Sequence, residues 1–169
     1  MSSVESTVVS AADFRSTCAL FPTGVTIVTR RMPNGRPYGM TVSSFTSVSL
    51  DPPLILVCID KGAVFLHELA PQLPFAVNIL SDRQVPLAGR FADRNEDDRF
   101  AGVDWKGGWN GVPLLEGVVA SLICSLDQVV EAGDHLILIA LVHHIDMQED
   151  GRPVVWCRRG YHPLTDSTS

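Results

Sequence analysis

The stretch GMTVSSFTSVSLDPPL, residues 39–54, sets four serines and two threonines among small apolar residues and ends in a double proline. Small side chains let a backbone come close to a ligand, and hydroxyl and N–H groups offer hydrogen bonds to the edge of a flat ring. Taken alone, the same pattern reads more readily as a strand whose serines and threonines face solvent. Its neighbours decide between the two.

Upstream, GVTIVTRR (24–31) is rich in β-branched residues. It is closed by MPNGRP, whose Asn34-Gly35 is a hairpin signal, so the chain is expected to return as one extended stretch from Tyr38 to Leu50. Downstream, residues 54–59, 74–80, 118–130, 135–147 and 153–157 are further strand candidates separated by Gly, Pro and Asp. Three short helices are expected: one capped by Asp13 and ending before Pro22, one over 63–70 and one over 81–92 with Ser81 as its cap. The glycine-rich segment 93–117 is too long for a tight turn and reads as a lid or binding loop. Antiparallel strands with few helices suggest a closed barrel, which leaves no sheet edge exposed.

The chain of 169 residues fits one domain, placed at 13–164 between a flexible leader (1–12) and a flexible tail (165–169). The formal net charge of -6 and the lack of a basic run argue against a nucleic-acid partner. Cys18, Cys58, Cys124 and Cys157 stand far apart in apolar stretches and read as buried thiols of a reducing compartment. With no secretory signal and no run of about 18 apolar residues, the expectation is a soluble, cytoplasmic protein without a membrane partner. Neither a G-x-G-x-x-G after a strand nor a G-x-x-x-x-G-K-[ST] is present, so a nucleotide-like ligand would need another cradle. His143 and His144 are expected on opposite faces of a strand and make a poor metal site, and no metal is expected.

Read in order, FPTGVTIVT, GMTVSSFTSVSLDPPL, RFA and AGDHLILIALV make the chain resemble the short-chain flavin reductases, the reductase components of two-component flavin monooxygenases. The resemblance covers nearly all of 13–164. It implies a mainly β, six-stranded antiparallel Greek-key split barrel with helical insertions, assembled as a homodimer. It also implies hydride transfer from NADH or NADPH to FMN or FAD, with reduced flavin passed to a separate oxygenase.

The resemblance lays the flavin ring against Gly39, Met40, Thr41, Val42, Ser43 and Ser44. It sets the phosphates at the turn of Asp60, Lys61, Gly62 and Ala63 and at Arg94 near Arg90, Phe91 and Ala92, and it makes His135 of Gly-Asp-His the nicotinamide contact. Many relatives carry serine or threonine in that turn, whereas Gly62 and Ala63 offer only backbone donors here. Read as residues alone, Lys61 and Arg94 are equally solvated surface charges, His135 is a turn histidine, and Trp105, Trp109 and Tyr161 are either packing or the pocket mouth. Arg158 and Arg159 are available for an NADPH 2′-phosphate. Two rival readings stay open: a split-barrel flavoprotein holding FMN tightly as oxidase or electron carrier, and a non-catalytic flavin-binding sensor.

Overall fold

The computed structural model describes residues 8–164, so most of the expected leader and the tail over 165–169 lie outside the described residues. Helix α1 (Ala11–Cys18) begins three residues before the expected start, because Ser10 rather than Asp13 caps it. The Ser10 hydroxyl accepts from the Asp13 N–H at 3.1 Å and donates to the Asp13 carboxylate at 2.7 Å.

After the short β1 (Thr23–Gly24), strands β2 (Thr26–Arg31) and β3 (Pro37–Val42) form the expected hairpin around Asn34-Gly35, where Gly35 has φ +80°. The extended stretch expected from Tyr38 to Leu50 breaks at residues 43–45. Strand β4 (Thr46–Leu50) leaves β3 and pairs instead with β5 (Pro53–Asp60), the two joined by a cis Asp51-Pro52 peptide. With β6 (Phe75–Ile79) and the long hairpin β9 (Ala120–Ala132) and β10 (His135–Met147), these strands make an antiparallel sheet in the order β3-β2-β6-β9-β10-β5-β4. It has seven strands where six were expected, the break after β3 supplying the extra one.

A flat sheet of seven strands would be about 29 Å wide. Its two edge strands, β3 and β4, are consecutive in the chain and separated by three residues that span at most about 14 Å. The sheet therefore curls. Ser44 fastens the curl: its hydroxyl accepts from Cys58 N–H at 2.9 Å and donates to Cys58 C=O at 3.1 Å, both on β5.

Inside lies an apolar core of Val28, Val57, Ile59, Phe65, Phe75, Val77 and Leu138. A second core of Val25, Ile27, Leu80, Phe91, Phe100 and Val154 lies under helix α2 (Val85–Ala92), which follows the expected Ser81 cap. The paired strands β7 (Trp105–Gly107) and β8 (Pro113–Leu115) and the hairpin β11 (Val154–Cys157) and β12 (Gly160–Pro163) complete the chain.

The helix expected over 63–70 is a single 3-10 turn, Val64–Leu66. The buried Arg30 guanidinium explains this: it donates to the carbonyls of Phe65 (2.7 Å), His67 (3.0 Å) and Glu68 (3.4 Å), groups that a continuing helix would use internally. Of the four cysteines, all free thiols, only Cys124 is fully buried; Cys18 is exposed and Cys58 and Cys157 are half-buried. The exposure of Cys18 corrects the reading of all four as core residues and follows from α1, which buries none of its residues.

Candidate functional site

A cavity of about 730 Å³ lies against the end of β3 and is lined by Met40, Thr41, Val42, Ser43, Ser44, Cys58, Asp60, Arg94, Asp134 and His135, with Ala11, Phe14 and Arg15 of α1. It brings together eight of the residues singled out from the sequence. Hydroxyl chemistry differs from expectation, because Thr41 donates to the Ala88 carbonyl at 2.7 Å and Ser44 is spent on Cys58. What β3 keeps for a ligand is its outer edge: it is the terminal strand of the sheet, so a row of its backbone N–H and C=O groups has no strand partner.

Gly39 lies outside this cavity, on a smaller cleft of about 320 Å³. A Cβ there would sit 2.9 Å from the Phe91 ring and 3.1 Å from Thr29 Cγ2, so glycine is what lets α2 pack on β3. Lys61, Gly62 and Ala63 do not line the main cavity either. Their backbone donors are all used: Lys61 N–H to Asp134 C=O (3.0 Å), Gly62 N–H to the Asp60 carboxylate (2.7 Å) and Ala63 N–H to Asp60 C=O (2.9 Å). Lys61 Nζ pairs with Glu131 at 3.0 Å. The other Asp60 oxygen meets Arg94 Nη2 at 3.3 Å, and the Arg94 side chain is 82% exposed, so this pair is weak and easily exchanged.

The β9–β10 hairpin turns on Gly133 (φ +62°) and Asp134, which sets His135 as the first residue of β10 at the cavity wall. His135 Nδ1 lies 2.7 Å from Asp134 Oδ1, and a carboxylate only accepts, so the hydrogen sits on Nδ1 and Nε2 is the free edge. That hydrogen bond, then the charge of His135 and more weakly that of Arg15, hold the Asp134 carboxyl below the usual carboxylate range.

Arg99 has no place in the sequence reading and is the most connected side chain of the loop after α2. It donates through Nη1 to Tyr38 OH and Gly39 C=O, both at 2.9 Å, and through Nε and Nη2 to Asp93 C=O at 3.1 and 2.7 Å. It thereby ties the loop bearing Arg94 to the strand bearing Met40. The arginine of DDRF gives no local signal for this, since the two groups it reaches on β3 lie 61 and 60 residues back along the chain.

Trp105, Trp109 and Tyr161 do not line the cavity, and packing is the reading that holds for them. Trp105 packs on Phe100, Tyr161 on Trp156, and Trp109 beside His143 elsewhere on the surface. Arg158 and Arg159 form the positive-φ turn between β11 and β12, where Arg159 reaches Ser16 Oγ at 3.4 Å.

Antiparallel strands rolled so that one sheet edge stays open beside paired charges and a histidine define a mainly β protein with a cavity at its open edge. Residues 18–165 match the flavin reductase like domain family. A flavin reductase of Pseudomonas putida is 40% identical over 148 residues, covering 88% of this chain and 86% of the relative. The stachydrine N-demethylase reductase subunit of Rhizobium meliloti is 47% identical over 128 residues, 76% of this chain but only 55% of the relative. The structure of the Streptomyces globisporus NADH:FAD oxidoreductase in complex with NAD and FAD fragments superposes with a TM-score of 0.87 at 36% identity, covering 97% of this chain and all of the other. The chain belongs to the flavin reductase-like family.

Proposed function

We propose that the chain is an NAD(P)H-dependent flavin reductase that takes FMN or FAD as a diffusible substrate and hands reduced flavin to a separate monooxygenase component. The observation that carries this reading is the meeting of the β3 edge, two guanidinium groups and the His135–Asp134 pair around one cavity of about 730 Å³. Support also comes from relatives that are a reductase subunit and an NADH:FAD oxidoreductase.

The residues fit a flavin. Donors and acceptors alternate along an unpaired strand edge, as the rim of a flat heterocycle requires, and Arg15 and Arg94 suit phosphate. Bound flavin supplies the acceptor for the hydride of the reduced nicotinamide. The chain's own part is positional and electrostatic. Met40 to Ser44 hold the ring edge, Arg94 exchanges Asp60 for phosphate, and Asp60 to Ala63, with Lys61, fix the turn from which Arg94 is steered. Gly39 seats the strand on α2. His135 presents Nε2 to the nicotinamide or its pyrophosphate, and no proton need pass through it.

In this reading residues 13–164 act as one domain, rolled into a split Greek-key barrel and paired as a homodimer in the cytoplasm. Four free cysteines support a reducing compartment. Phe14 at the cavity (63% exposed) and Leu50 (94% exposed) are apolar surface that a second copy would cover. The test is anaerobic NADH oxidation at 340 nm with added FMN or FAD, following flavin bleaching in parallel. Catalytic bleaching that depends on added flavin is expected. Flavin retained at one per chain through dialysis, with no turnover of added flavin, would sink the diffusible-substrate reading.

A further inference from the structure

Between Val142 and His144 the pairing of β10 with β9 slips: Val142 faces Cys124 and His144 faces the very next residue, Ile123, leaving His143 unpaired in a β-bulge. Neighbouring residues of a regular strand point to opposite faces, yet His143 and His144 both line one groove. The bulge has re-aimed them, a device common where a strand builds a site.

The groove measures about 530 Å³, and none of its lining residues lines the flavin cavity. Leu114 and Ile123, both buried, form its floor, and the bare backbone of Gly107 and Gly108 forms one side. Trp109, 49% exposed, stands against the His143 ring at 5.1 Å between centroids and 60° between planes. The His143 ring is held: its Nε2 lies 2.7 Å from Ser125 Oγ. That contact fixes the ring plane and leaves Nδ1 as the edge away from Ser125. At the far end Lys106 pairs with Asp146 at 2.8 Å.

We propose that this groove is a second small-molecule site, which takes a planar aromatic carboxylate. The open face of Trp109 and the apolar floor suit the ring by stacking and burial. The carboxylate suits the remaining groups, because the Lys106 ammonium, which shares its charge with Asp146 alone in the groove, and the ring edges of His143 and His144 offer it hydrogen-bond donors. No group of three or more metal-ligating side chains occurs among the described residues, which sets this histidine pair apart from a metal site. The assignment is independent of the reaction proposed for the flavin cavity.

Calorimetric titration of FMN-saturated protein with 4-hydroxybenzoate, with cyclohexanecarboxylate as the non-aromatic control, tests it. The indole N–H signals in a ¹H–¹⁵N spectrum provide the site readout, Trp109 being assigned through Trp109→Phe. Saturable binding at about 1 mM or tighter is expected, weakened about fivefold by Trp109→Ala and by His143→Ala and within about twofold of the parent in Trp109→Phe. Flavin reduction by the three variants should match the parent, which separates this site from the flavin cavity. The proposal falls if no saturation occurs up to about 10 mM, if cyclohexanecarboxylate binds equally well, if FMN displaces the probe, or if the variants bind like the parent.

Discussion

Arg99→Ala should loosen flavin binding without touching the chemistry. The half-buried guanidinium makes charged hydrogen bonds to the Gly39 carbonyl and the Tyr38 hydroxyl, both on β3, and lies 5.3 Å over the Tyr38 ring. Partial exposure discounts each of these two hydrogen bonds to about 1 kcal/mol, and the ring contact adds about 0.5 kcal/mol, giving a tether of about 2.5 kcal/mol between the Arg94 loop and β3. Converted wholly into affinity, that is a ceiling of about seventyfold. Part of the tether survives in the variant, because Arg90 Nη2 still donates to Asp98 C=O at 3.2 Å, so we expect a rise of about tenfold in flavin KM. The kcat at saturating flavin and the KM for NADH should stay within about twofold, since His135 and its aspartate are untouched. Steady-state anaerobic kinetics, with circular dichroism to show that the variant is folded, separate these quantities. A folded variant with unchanged flavin KM, or one that loses kcat instead, refutes the reasoning.

Arg30→Met leaves three carbonyls of the 3-10 turn without their charged donor and should cost about 3 kcal/mol, lowering Tm by about 6–12 °C in calorimetry. Desolvation pushes the Cys124 thiol up to about 12, so the native protein should alkylate at exposed Cys18 and spare Cys124 at pH 8; mass mapping of equal labelling at both would contradict this burial. The lowered Asp134 pKa means that its hold on His135 is complete above the ordinary carboxylate range and is lost as the pH falls through the depressed value. The KM for NADH should therefore rise on that acid limb, and Asp134→Asn should carry the raised KM at all pH values; a flat profile in the parent would speak against the pair.

Much of this was legible in the sequence because it is local. Asn34-Gly35, Gly133-Asp134 and the Ser81 cap announce turns and a helix start through residues a few positions apart. The cavity-lining run Met40 to Ser44 was equally visible, but the use of its hydroxyls was not: Thr41 is spent on Ala88 and Ser44 on Cys58, partners that only the folded sheet supplies. The segment 63–70 has a helical pattern, and a guanidinium from β2 overrides it. The contributions of Arg15 and Arg99 rest on tertiary contacts alone and leave no periodic trace.

The three-residue link between β3 and β4 has a bearing on how this architecture can be cut and rejoined. In most closed sheets a ladder of backbone hydrogen bonds zips the last strand to the first. Here chain connectivity and one serine hold the seam, and the outer edge of β3 has no strand partner, which leaves it open to a guest wherever no side chain such as that of Arg99 has taken a carbonyl. A circular permutant opened between Val42 and Thr46, with its original ends joined, would keep every strand pair of the seven-stranded sheet and lose only the hinge that brings its margins together. Such a chain should fold and fail to hold flavin, which would mark the covalent path itself as a component of the binding site.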